Sequence, residues 1–335
     1  MAAAEEDEDE ESSAEDPDTE ELDRRDFLIF LARDVLFAVA LVGVVIGALF
    51  AYAQVWPPMV VVESGSMQHS HSQSYLNVID TGDLVLLQSV GSSSNIVTYV
   101  EGRASGYETY SNYGDVIVFH QPGTSAGSTP IIHRAIIYVD APSAYPLGGV
   151  DAPSLDSFPP SEWSATHPDG TAATTPQALG SITIRLRTWA SGSETMGAIT
   201  YTNLGSVRSP GFLTKGDHNP TEDRWGRPVA VTEVVGKARG ELPWFGLIKL
   251  TAWPTSGCCP GGWGSTGPLG APRNSWDSLA TSLVLIPVGI FLADYGFAFL
   301  EKSWKAYRRG KKRSQADAED APPAEAPPTE SDDPR

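Results

Sequence analysis

A chain of 335 residues with a formal net charge of −19 and two cysteines is long enough for one sizeable domain with appendages, and too poor in cysteine for a disulfide framework. Much of the acidity sits at the ends: residues 1–23 hold 13 of the 42 acidic residues and residues 315–335 hold 7. Between Pro57 and Trp276 there are 17 acids against 12 basic residues, and no basic stripe stands ready to meet a phosphate backbone, which argues against nucleic acid as a partner.

Residues 1–26 are acidic and poor in apolar residues, a composition that predicts a disordered tail. Residues 27–56 read as a first transmembrane helix. Its uncharged part, Leu36 to Trp56, is long enough at ~1.5 Å per residue to cross a ~30 Å hydrocarbon core. Arg24, Arg25 and Arg33 lie on its N-terminal side and Tyr52 and Trp56 at its far end, so the positive-inside rule puts the N-terminus in the cytoplasm.

From residue 57 to 256 the pattern changes to short β-type runs divided by Gly, Ser, Asn and Pro, and the expected fold class is mainly β. The runs are Asp83–Leu87, Asp115–Phe119, Ile131–Tyr138, Ile182–Leu186, Ala198–Thr202 and Val229–Val235. Residues 145–180, rich in Pro, Ser, Ala, Gly and Thr, read as an inserted loop without identifiable chemistry. Residues 257–277 form a Gly/Pro-rich linker in which the adjacent Cys258 and Cys259 are expected as free thiols, because a bridge between neighbours is strained. A second transmembrane helix is predicted at 278–300, and residues 301–335 form a basic and then acidic tail. Lys302, Lys305, Arg308 and Arg309 place the C-terminus in the cytoplasm as well. The expected protein is therefore a multi-pass protein of the cell membrane with an extracytoplasmic β domain.

Chemistry-bearing residues fall in a fixed order along that domain. They are Glu63-Ser64-Gly65-Ser66-Met67, then Gly82-Asp83-Leu84-Val85, then Tyr113-Gly114-Asp115-Val116 with Pro130-Ile131-Ile132-His133-Arg134, and finally Leu213-Thr214-Lys215-Gly216-Asp217-His218-Asn219 running to Asp223. Taken singly, a Ser-Gly-Ser is most often a turn and a strand histidine most often structural. As an ordered set the stretches resemble the type I signal peptidases, in the archaeal and endoplasmic-reticulum branch, which has histidine where the bacterial branch has a catalytic lysine. The stretch from Val234 to Gly240 followed by Pro243-Trp244-Phe245-Gly246 is similar to that branch too, so the resemblance runs from about Leu36 to Leu250 apart from the insertion.

The resemblance implies a signal-peptidase-like all-β catalytic domain flanked by two transmembrane helices, and a serine endopeptidase that removes signal peptides after small residues. It maps the nucleophile onto Ser66, which directly precedes Met67, the general base onto His133 and the orienting acid onto Asp223. Asp217 takes a supporting role, with either acid able to serve the histidine, and Ser64 helps the Ser66 backbone N–H to stabilise the oxyanion. Imidazole, with an ordinary pKa of ~6.5, takes a serine proton at neutral pH where a charged lysine does not. Neither a cofactor nor a metal is expected. The implied partners are signal-peptide-bearing preproteins, membrane lipid and translocation machinery. Scarce lysine and acidic tails fit a salt-loving archaeon.

Two departures from the family pattern stand out: Gln68-His69 replaces the usual Pro-Thr, and His218 replaces asparagine. His69 and His71 could ligate a metal, but without a neighbouring Cys or carboxylate they are expected in a solvated loop. The alternatives to a general signal peptidase are a non-catalytic membrane-anchored binding protein and a specialised processing protease on the same scaffold.

Overall fold

The computed structural model describes residues 17–319 apart from residues 126 and 143–145; the predicted acidic ends, 1–16 and 320–335, lie outside the described residues. The chain divides into two compact units, one ending at Ser275 and one beginning at Trp276.

The first unit opens with α1 (Pro17–Ala53). Its segment Phe27–Ala53 is long and apolar enough to cross a membrane, and no side chain in its most apolar window is buried. A core helix of comparable length would hide one face. The helix begins within the stretch expected to be disordered. Once the apolar run has nucleated a helix, each added residue costs little, and Glu20, Glu21, Leu22 and the two arginines are good helix formers.

Among the described residues eleven strands follow: β1 (Met59–Val61), β2 (Leu84–Gln88), β3 (Glu108–Thr109), β4 (Asn112–Tyr113), β5 (Val116–Phe119), β6 (Ile131–Val139), β7 (Trp163–Thr166), β8 (Ser181–Thr188), β9 (Thr195–Tyr201), β10 (Gly211–Lys215) and β11 (Val234–Leu242). Two short helices, α2 (Tyr99–Ser105) and α3 (Gly246–Ala252), complete the unit. Six strands make one antiparallel sheet in the order β1-β2-β11-β5-β6-β10, and β7-β8-β9 make a second. Strand β5 explains why the large sheet is covered on both faces. All four of its residues are buried, and they alternate between two clusters: Val116 and Val118 pack with Val62, Met67 and Leu87, whereas Ile117 and Phe119 pack with Ala135, Phe212 and Val229. The end of α1 is tied to this sheet, because Ser89 N–H donates to the Ala53 carbonyl at 2.7 Å.

Three expectations need correction. The stretch expected as a loop is not one throughout its described residues, 146–180: Val150, Ala152, Leu155, Phe158, Ala165 and Leu179 share a core with Ile137, Ile182, Ile184 and Ile199, and β7 is the first strand of the second sheet. The run Val229–Val235 is not one strand. Val231–Glu233 is a 3₁₀ turn whose Glu233 carboxylate accepts from Ala230 N–H at 2.9 Å and binds Arg227, so the strand starts only at Val234. Cys258 and Cys259 are buried and joined as a disulfide rather than free.

The second unit consists of the greater part of α4 (Arg273–Glu319), whose Arg273–Lys305 segment is also long and apolar enough to span a membrane. The helix runs beyond the predicted span at both ends. It takes in the last residues of the linker and the basic stretch after Leu300, where Lys305 pairs with Glu301 one turn away at 2.5 Å.

Candidate active site

Ser66 sits in the single 3₁₀ turn Gly65–Met67 that follows β1. The turn is anchored from below by Met67, 1% exposed among Val62, Ile79, Val85 and Val116. The apolar residue after the serine thus fixes where the hydroxyl stands. Ser64 Oγ lies 3.4 Å from Ser66 Oγ.

His133 belongs to β6, opposite Ile117 of β5. Asp223 lies in the loop after β10 and is folded back onto that strand: its N–H donates to the Thr214 carbonyl at 3.2 Å, and its Oδ2 accepts from Thr214 Oγ1 at 2.7 Å. The same Oδ2 accepts from His133 Nδ1 at 2.6 Å. Both side chains of that pair are almost fully buried. With Nδ1 donating to a carboxylate, the neutral imidazole has its lone pair on Nε2, the tautomer a general base requires.

Gly216 occupies the gap beyond that nitrogen. A β-carbon there would stand 2.9 Å from His133 Nε2 and 2.6 Å from the Ser66 carbonyl oxygen, so both groups border the same small space. Ser66 and His133 also line one cleft of about 830 Å³. Its apolar wall is built by Trp56, Met59, Val60, Val118, Ile132 and Val235, and it runs alongside β1, an edge strand of the large sheet. No hydrogen bond joins Ser66 Oγ to His133 among the described residues; the hydroxyl faces Ser64 instead. Catalytic hydrogen bonds are commonly long in a substrate-free site and tighten on binding.

Asp217 is held apart from His133. Neighbouring strand residues point to opposite faces, so Arg134 turns away from His133 and meets Asp217 in a buried fork, with Nε to Oδ1 at 2.8 Å and a terminal nitrogen to Oδ2 at 2.7 Å. Burial alone would raise the Asp217 carboxyl, but the Arg134 charge and its hydrogen bonds outweigh it and hold the group far below the usual carboxylate range. The other Arg134 nitrogen donates to the carbonyls of Thr109, Tyr113 and Gly114 at 3.1, 3.2 and 2.9 Å, tying the β3–β4 hairpin to the site.

Lys215 is committed to neighbouring acceptors. Its ammonium is buried and donates to the Gly216 carbonyl at 2.8 Å and to Thr188 Oγ1 at 3.1 Å, while burial pushes it down to about 8 against the pull of Asp217 and Asp223.

His69 departs from expectation, since it is buried rather than solvated. Its ring stacks on Trp189 at 3.5 Å, and Nε2 lies 3.2 Å from Asp217 Oδ2. His71 is exposed and meets His218. Burial lowers the His218 imidazole below its ordinary value. Sequence reasoning assigned no role to Arg134, Thr214 and Gly216, although they stand in the ordered stretches, and did not point to Trp189. For Arg134 a signal existed, because an arginine in an otherwise apolar strand must find a buried partner.

The arrangement can orient an imidazole, keep its outer nitrogen free to accept a proton, and present a serine hydroxyl and an edge strand to a peptide lying in an apolar cleft. No family model matches this chain, and no characterised protein of similar sequence does.

Proposed function

We propose that the protein is a membrane-anchored serine endopeptidase of the signal peptidase I type, with Ser66 as nucleophile, His133 as general base and Asp223 as orienting acid. The observation that carries this reading is the 2.6 Å contact of His133 Nδ1 with Asp223 at the end of the cleft that Ser66 also lines. In this reading His133 Nε2 takes the Ser66 proton as Oγ attacks the scissile carbonyl. The proton is then given to the leaving amine, and a water activated by the same nitrogen releases the acyl group. The Ser66 backbone N–H and Ser64 Oγ face the developing oxyanion. Asp217, locked to Arg134, holds the loop that carries Gly216. No step calls for a cofactor.

A substrate strand paired along β1 would lay alternate side chains against the apolar wall, a mode suited to a membrane-inserted signal segment. Two further features support that substrate class: α1 is apolar enough to span a membrane, and its end is fastened to the sheet that forms the cleft. By the charge pattern of the chain both termini lie in the cytoplasm and the β domain outside, beside lipid and within reach of translocation machinery. The test is incubation of the full chain in detergent with a preprotein, followed by sequencing of the new N-terminus. Cleavage after small residues at the first and third positions before the bond supports the reading; cleavage with no such preference points to a processing protease of other specificity.

The missing Ser66–His133 hydrogen bond favours one second reading, a non-catalytic β domain that binds extended peptides in the same cleft. Saturable peptide binding without turnover by the wild-type chain would establish it.

A further inference from the structure

The two histidines that mark departures from the resembled pattern meet in space. His71 follows the Ser66 turn, His218 lies in the loop after β10, and His71 Nδ1 stands 3.0 Å from His218 Nε2 with the two rings nearly perpendicular, at 89°. The His218 ring is oriented from behind, since its Nδ1 donates to the Gln68 carbonyl at 2.9 Å. That bond leaves the lone pair of His218 on Nε2, aimed at His71. The His71 ring is backed by Gly192, where a β-carbon would run into it. Two imidazole nitrogens bound to one ion at ~2.0–2.1 Å each are roughly 2.9–3.4 Å apart for right-angle to tetrahedral geometry, so the two nitrogens, hydrogen-bonded to each other at 3.0 Å, already stand at a spacing that neighbouring ligands require.

We propose that His71 and His218 form a binding site for a borderline divalent transition ion, Cu(II), Ni(II) or Zn(II), completed by water. A carbonyl that fixes the tautomer of a ligating histidine is the usual support of such a site, and Gln68 supplies it here. Imidazole selects these ions over Mg(II) and Ca(II), which take oxygen ligands. In the neutral pair the hydrogen between the rings is carried by His71 Nδ1. Binding moves it to Nε2 of the same ring and leaves a lone pair on each facing nitrogen, with no net loss of a proton. Among the described residues no group of three His, Cys, Asp or Glu side chains could hold a metal, so the site has two protein ligands and open positions.

The site has a mechanical consequence. The His218 N–H donates to the Ser66 carbonyl at 2.9 Å, so an ion bridging the rings clamps the Ser66 turn to the loop that carries Asp217. This inference does not depend on peptidase activity.

The experiment is titration of the detergent-solubilised full chain with Cu(II), Ni(II), Zn(II) and Mg(II) by calorimetry, for wild type, His71→Ala, His218→Asn and the double variant. Cu(II) electron paramagnetic resonance of the wild type counts the bound imidazole nitrogens. The expected result is one transition ion per chain, two imidazole nitrogens in the spectrum, affinity weakened at least about tenfold by either single substitution, and no response to Mg(II). The proposal is overturned if the wild type binds none of these ions, if the double variant binds as the wild type does, or if fewer than two imidazole nitrogens are found. The spectroscopic result needs no variant to fold.

Discussion

Gly216 faces His133 so closely that a β-carbon at position 216 would lie 2.9 Å from the imidazole Nε2. The same atom would meet the Ser66 carbonyl at 2.6 Å, and a backbone group cannot swing aside as a flexible side chain can. Gly216→Ala is therefore predicted to push the two groups of the site apart, with an overpacking cost of about 1–3 kcal/mol. Peptidase turnover should fall by far more than the fraction of folded protein, measured by thermal unfolding of the same preparation. Unchanged turnover would show that His133 and Ser66 do not act across this gap.

His133 and Thr214 both donate to Oδ2 of Asp223, so the acid orients the imidazole and is itself held by the Thr214 hydroxyl. Asp223→Asn keeps the shape but favours the wrong imidazole tautomer, and turnover should drop by about 10³–10⁴-fold with little change in KM. Thr214→Val removes one hydrogen bond from the acid and should cost roughly fivefold, in line with about 1 kcal/mol for one such bond. Steady-state kinetics on a single peptide substrate separates the two effects.

Arg134 and Asp217 form a buried pair whose loss strands a charge. Arg134→Met is predicted to destabilise the β domain by about 3–5 kcal/mol, because the buried Asp217 carboxylate loses its countercharge and both hydrogen bonds of the fork and keeps only the His69 contact. Denaturant unfolding followed by tryptophan fluorescence reads this directly. A loss below about 1 kcal/mol would mean that the pair is replaceable by water.

A second buried acidic group predicts how stability varies with pH. Asp80, Asp83 and Glu241 gather where β2 begins and β11 ends. Burial, with Asp83 nearby, pushes Asp80 up to about 8, and burial raises Asp83 to about 6 and Glu241 to about 7. Asp80 Oδ1 and Glu241 Oε2 have no hydrogen-bond partner among the described residues. Carboxyls raised in the folded state bind protons that the unfolded chain has already released. Their contribution is full below the unfolded value near ~4 and is lost as pH rises through the folded values. Asp217, whose carboxyl is lowered, acts only in the acid range, where stability is lost as pH falls. The melting temperature should thus decline between about pH 5 and pH 8, and Asp80→Asn should flatten that decline. A slope that Asp80→Asn leaves unchanged would remove this cluster as its source.

The spans and most strands were legible because each depends on local pattern: an uncharged apolar run over Leu36 to Trp56, and short β-branched runs such as Val116 to Phe119. The candidate triad residues were visible only as an ordered set of short stretches, since nothing local distinguishes Ser66 from other serines of a chain rich in them. What stayed hidden depends on contacts between distant residues. Leu155 and Phe158 enter a core through turns with no period to detect, so a Pro- and Ser-rich stretch looked like a loop. His69 is buried only because Trp189 supplies a ring to stack on, and Arg134 is paired only because the loop after β10 returns Asp217 to β6.

The most direct measurement is turnover of one membrane-embedded preprotein by wild-type chain and Ser66→Ala, purified side by side and matched for folded content. A wild type that releases the mature protein and a Ser66→Ala chain that falls to the uncatalysed background is the predicted result. Cleavage by Ser66→Ala at the wild-type rate would contradict the account, because the nucleophile would then lie elsewhere.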